Sequence, residues 1–160
     1  MSDYHPPQQT VSGRILTSAG WLEGSLHLAK LHSLAEYLSH HAWYPMTDVV
    51  LARVGTMPFF ALRRDETLLV STHQPPPKES LPTSATQTRV TLLFPGGAVD
   101  GLVAVPPGLR LFDFVTRTTS FVQVAEANVH VWADTSAVFF SHLLVNPGRL
   151  VGVTEVELPR

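Results

Sequence analysis

The chain has no cysteine, so a disulfide framework, a thiolate nucleophile, a thiolate zinc site and a cysteine-ligated iron–sulfur cluster are all excluded. Lysine occurs only at Lys30 and Lys78. No run approaches the roughly 18 consecutive apolar residues that a membrane-spanning helix needs, and membrane insertion is not expected. Charge of either sign is scarce: 11 Lys and Arg against 13 Asp and Glu leave a formal net charge of −2 over 160 residues. That balance gives no general attraction to a phosphate backbone, which disfavours nucleic acid as a partner. Residues 1–10 have neither the basic start nor the apolar core of a secretory signal, so they read as a flexible arm on a cytoplasmic protein.

What the sequence does have is 44% hydrophobic residues, enough for folded structure. The sharpest change of composition is at residues 73–86, where prolines and small polar residues replace apolar alternation. This reads as a linker. Across it the chain matches itself. Gly20-Trp-Leu-Glu-Gly-Ser-Leu-His-Leu28 aligns with Gly97-Ala-Val-Asp-Gly-Leu-Val-Ala-Val105 at an offset of 77, placing glycine on glycine and acid on acid. The register continues through Leu34/Leu111 and Tyr44/Phe121. After one inserted residue Met46-Thr-Asp48 falls on Val124-Ala-Glu126, and after two more Phe59-Phe60 falls on Phe139-Phe140. Self-similarity of this kind marks an internal duplication.

Each half then reads as one series of elements. Alternation over 11–17 and 21–28 predicts a β-hairpin, repeated at 89–94 and 98–105 around Pro95-Gly-Gly97. Leu31, Leu34, Ala35 and Leu38 recur at helical spacing, as do Leu111, Phe114 and Val115. One short helix is therefore expected in each half, over 31–40 and 109–116. Three further strands follow it, at 48–54, 58–63 and 67–71, then at 127–133, 137–145 and 150–156. Arg64-Asp-Glu66 and Asn146-Pro-Gly148 read as the tips of two final, local hairpins.

Five short strands and a helix in so few residues suit a small, strongly bent antiparallel barrel, with mid-strand Gly24 and Gly101 as the bend points. The expected fold is mainly β: two tandem small antiparallel β-barrels, 11–72 and 87–157, each with one short helix. A mid-strand glycine, a short helix reading Arg110-Leu-Phe-Asp113 and a following aromatic, Phe121, resemble bacterial small β-barrel domains of the Sm-like type, here in tandem duplicate. Here the helix follows the second strand, whereas in the Sm pattern it precedes the first. The resemblance implies a small barrel and brings no activity with it.

No catalytic motif is present. His32, Glu36 and His40 would share one helix face and form a possible metal ligand set. The equivalent Leu109, Asp113 and Arg117 could not, and a solvated polar face explains the three as well, so neither a metal nor any other cofactor is expected. Ser141-His142 is adjacent in sequence, but neighbours on a strand point to opposite faces, so the two side chains should diverge. The nucleophile elbow and the phosphate-binding glycine loop are missing. Arg63 and Arg64 could hold a phosphate, as an oligonucleotide- or nucleotide-binding barrel would require, although Asp65 and Glu66 beside them favour a self-paired hairpin tip.

The aromatics are the stronger lead. In Phe59-Phe60 and Phe139-Phe140 one ring should enter the core and its neighbour should face out. Trp21, Phe60, Trp132 and Phe140 are the expected interaction residues. Edge segments without charge, such as 57–62 and 137–145, add unprotected strand edges. The expected function is that of a non-catalytic cytoplasmic binding, scaffold or regulatory protein acting through protein contacts, with further copies of itself and an unidentified protein as partners.

Overall fold

The computed structural model describes residues 8–29, 33–73 and 85–157. They form two compact units that meet in sequence between residues 74 and 75. The first unit runs β1 (Gln8–Thr17), β2 (Gly20–Ala29), α1 (Leu34–His40), β3 (Trp43–Leu51), β4 (Gly55–Arg63) and β5 (Thr67–Thr72). The second runs β6 (Thr86–Phe94), β7 (Gly97–Val105), α2 (Leu111–Arg117), β8 (Val122–Val131), β9 (Val138–Val145) and β10 (Gly152–Glu155). The described chain is mainly β, with two short α-helices. Most of the expected arm and linker, together with Lys30, Leu31 and His32, lies outside the described residues.

The strand order is the same in both units. In the first, β1 to β4 form an antiparallel meander and β5 returns to pair with the other side of β1. In the second, β6 to β9 form the meander and β10 pairs with β6. Within each unit no ladder joins the two end strands among the described residues, so each five-stranded sheet is open. The expected local hairpins at 64–66 and 146–148 are therefore corrected. Both segments lead through short 3-10 turns, Arg64–Glu66 and Pro147–Arg149, to the far side of the first strand. Turn residues signal a reversal of the chain; they do not say which edge the next strand will meet.

Alternation explains most of the burial. On β2 Leu22, Leu26 and Leu28 are buried, whereas Glu23 is exposed. The first core is completed by Ile15, Leu38, Tyr44, Met46, Val49 and Leu69; the second is built on Val90, Leu92, Val99, Val124, Val129 and Leu143. Ser33 caps α1 by accepting a hydrogen bond from the Glu36 amide. Tyr44, fully buried, donates its hydroxyl to the carbonyl of Leu38 near the end of the same helix.

The bend falls at the mid-strand glycines. Pairing shifts register between Glu23 and Ser25 and again between Asp100 and Leu102, so Gly24 faces two residues of β3 and Gly101 two of β8. The extra residues are Asp48 and Glu126, both at positive φ (53° and 49°). A Cβ on Gly24 would stand 2.8 Å from Val49 Cγ2, and one on Gly101 2.4 Å from Val124 Cγ1. Only glycine leaves room for the bulged strand to come this close. On the other side of the bulge the next strand skips a residue too: Asp48 and Pro58 pair with nothing across β3–β4, nor do Glu126 and Ser141 across β8–β9. Each bulge therefore runs through two strands and resets their inward–outward alternation.

Candidate interaction surface

β4 is the end strand of its sheet and has β3 as its ladder neighbour. Between Gly55 and Leu62 it carries no charged side chain. Its inward residues beyond the bulge are Leu62, which is buried, and Phe60, half-buried opposite the fully buried Met46. The outward side pairs Thr47 with Phe59, Pro45 with Ala61 and Trp43 with Arg63. Phe59 is 65% exposed and Trp43 55%. The Arg63 guanidinium lies 6.0 Å from the centre of the Trp43 ring, within reach of a cation–π attraction.

In the second unit Phe139 is 61% exposed opposite Asn128, whereas Phe140 is half-buried opposite the buried Ala127. The outward ring of each pair is thus Phe59 or Phe139, and the expected outward rings, Phe60 and Phe140, turn toward the interior. The two pairs are not equivalent either. Phe59-Phe60 follows the skipped Pro58, while Phe139-Phe140 precedes the skipped Ser141. Likeness of residue type hid a shift in the ladder.

Trp132, 65% exposed, stands on the β8–β9 connection, with its amide bonded to the carbonyl of Gly96. Trp21 is half-buried beneath Arg14, whose guanidinium sits 4.4 Å above the ring. Within the first unit, Phe59 and Trp43 stand on the outward face of the β3–β4 ribbon. Only the bulge, which fixes the facing of β4, could have revealed this, and its sequence mark is a single acid, Asp48, opposite a glycine.

Arg63 and Arg64 both lean on Asp65, at 3.9 and 3.7 Å, and Arg64 also donates to the carbonyl of Ser39. The two guanidiniums share one carboxylate at this corner. Glu36 and His40 are exposed on α1 while His32 lies outside the described residues, and among the described residues no three His, Asp or Glu side chains are gathered for a metal. Ser141 Oγ and His142 Nδ1 stand 3.1 Å apart, which corrects the expectation that they diverge. Ser141 is the skipped residue of the bulge, so simple alternation fails there. Ser141 is exposed, and neither the cavity beside residues 105–112 nor the one beside residues 130–137 includes the pair. No helix among the described residues is long and apolar enough to cross a membrane.

Against known proteins, no family model, no curated protein and no solved structure matches the chain.

Proposed function

We propose that this chain is a non-catalytic binding or scaffold module, two small unclosed barrels derived from one by duplication, that acts through protein contacts and associates with further copies of itself along β4. The observation that carries the reading is the β4 edge. A strand with one neighbour offers backbone donors and acceptors to a second chain. Here that offer comes with no charge between Gly55 and Leu62 and with the exposed rings of Phe59 and Trp43 beside it. A net charge of −2 adds little repulsion between copies. The same order of elements, and the same glycine-and-acid bulge, support the duplication.

Light scattering tests the reading. Association predicts a mass that is a multiple of 17.6 kDa, reduced to the monomer by Phe59→Asp with the circular dichroism unchanged. A wild-type mass of one chain at micromolar concentration would overturn it. The rival, an oligonucleotide or nucleotide held by Arg63 and Arg64, requires the phosphate to displace Asp65 from both. Salt-dependent binding of single-stranded RNA that is lost in Arg63→Gln would favour that rival.

A further inference from the structure

The second unit contains a cavity of about 670 Å³, walled by the start of β6 (Thr86, Thr88), the segment from Val105 to Phe112 and the β10 residues Val153, Thr154 and Glu155. Its size lies within the range of ligand pockets. One wall is preorganised. Pro106-Pro107-Gly108-Leu109 closes with a hydrogen bond from the Leu109 amide to the Pro106 carbonyl, and Gly108 has a φ of +79°. Proline followed by a glycine at positive φ is the pattern of a type II turn, whose backbone has little freedom left to lose on binding. In the first half the residues 77 positions earlier read Ala29-Lys30-Leu31-His32-Ser33. The Pro-Pro-Gly wall therefore belongs to the second half alone.

The lining mixes apolar side chains with threonine hydroxyls and two charges. Leu109 and Phe112 are 44% and 66% exposed beside the cavity, while Leu111 between them is buried. Arg110 precedes α2 and makes no capping hydrogen bond with its side chain. Neither Arg110 nor Glu155 enters an ion pair among the described residues, although both line the same cavity. By contrast Arg117, on the same helix, is taken up by Asp113 at 3.8 Å. A ligand that fits must bring an anion to Arg110, a cation to Glu155 and apolar side chains to Leu109, Phe112 and Val153.

We infer that this cavity binds a short apolar peptide whose free carboxylate terminus meets Arg110 and whose basic group meets Glu155. A planar guanidinium suits a carboxylate because it can donate two parallel hydrogen bonds. The hydroxyls of Thr86, Thr88 and Thr154 supply further partners for peptide groups. A metal ion would not use the aliphatic and aromatic wall, and a purely apolar ligand would leave both charges unanswered. The cavity is built from residues of the second unit alone and the inference does not rest on the β4 edge, so a monomeric chain that binds the peptide satisfies it.

Isothermal titration of the full chain with the free tetrapeptide Lys-Val-Leu-Phe and with its C-terminal amide tests it. The acid should bind at least tenfold more tightly than the amide, and Arg110→Gln should remove that difference. Glu155→Gln should weaken acid and amide by a similar factor, and Arg117→Gln should change neither. Equal binding of acid and amide, no binding of either at about 1 mM, or full affinity in Arg110→Gln or Glu155→Gln would each overturn the inference. Arg110 is exposed, so Arg110→Gln should leave the fold intact, and the amide signal in the variant serves as an internal check that the cavity persists.

Discussion

β5 and β10 have the same place in their units, each lying against the first strand of a meander, yet they are built differently. β5 has six residues and is buried from Thr67 to Ser71, whereas β10 has four, none of them buried. The consequence appears on the strand they share. At the position where β6 has Val90, fully buried, β1 has Gly13, because a Cβ there would stand 2.4 Å from the Ser71 carbonyl oxygen. One topology thus demands glycine where the neighbouring backbone presses close and accepts valine where the neighbour is short. The same contrast extends outward. Arg14 faces Glu23 at 3.9 Å in the first unit, whereas Thr91 and His130 flank Asp100 in the second, at 2.5 and 3.3 Å. Shared architecture left these surfaces free to diverge.

The most severe way to break the comparison is to write the second unit's residue into the first. Gly13→Val should cost about 3 kcal/mol or more, since its nearest obstacle is backbone and cannot rotate away. Urea denaturation measures the loss, and hydrogen exchange should show it in β1–β5.

The two bulge glycines should separate next. Gly101→Ala would meet Val124 Cγ1 at 2.4 Å and the Ala125 carbonyl oxygen at 2.9 Å, whereas Gly24→Ala would meet the methyl groups of Val49 at 2.8 Å and Met46 at 3.1 Å. Side-chain ends can shift where a carbonyl cannot. We expect a loss of about 2–3 kcal/mol at Gly101 and about 1 kcal/mol at Gly24, read as the difference between two denaturation midpoints.

Tyr44→Phe should cost about 1–2 kcal/mol by leaving the buried Leu38 carbonyl without its donor. Here the units also differ in pH response. Burial pushes the Tyr44 phenol far above its usual value of 10.0, and it raises Tyr37 as well. Above pH 10 the unfolded chain releases protons that the folded chain keeps, so stability is full below about pH 10 and falls as the pH rises beyond it. Phenolate absorbance followed together with unfolding should show this loss reduced in Tyr44→Phe. The corresponding ladder position in the second unit is Val122, opposite Val145 as Tyr44 is opposite Leu62, and it has no such dependence.

The smallest effect should come from the helix caps. Ser33→Ala removes the one side-chain N-cap of the two described α-helices and should cost about 1 kcal/mol. A thermal melt resolves a change of that size.

Much of each unit could be read along the chain, for local reasons. Alternation within β1–β2 and β6–β7 involves neighbours in sequence, and Pro95-Gly96 supports a tight turn between Phe94 and Gly97. The starts of β3 and β8 were harder to see. β3 begins at Trp43 and β8 at Val122, well before the expected 48 and 127, because Pro45 and the bulge acids interrupt the alternation that marks a strand. Little of the candidate surface was legible, since whether Phe59 or Phe60 faces out depends on a residue skipped in two strands together.

By itself, then, the sequence determined the mainly β character, the two first hairpins, the short helices and the matching order of glycine and acid in the two halves. These follow from hydrophobic period and turn chemistry, which act over a few residues. Tertiary structure alone decided that β5 and β10 return to the first strand, that Gly13 must be glycine while Val90 need not be, that Phe59 and Phe139 face outward, and that Arg110 and Glu155 share a cavity. Each of these depends on how closely distant backbones approach, and that distance is set by packing across the sheet rather than by any local pattern.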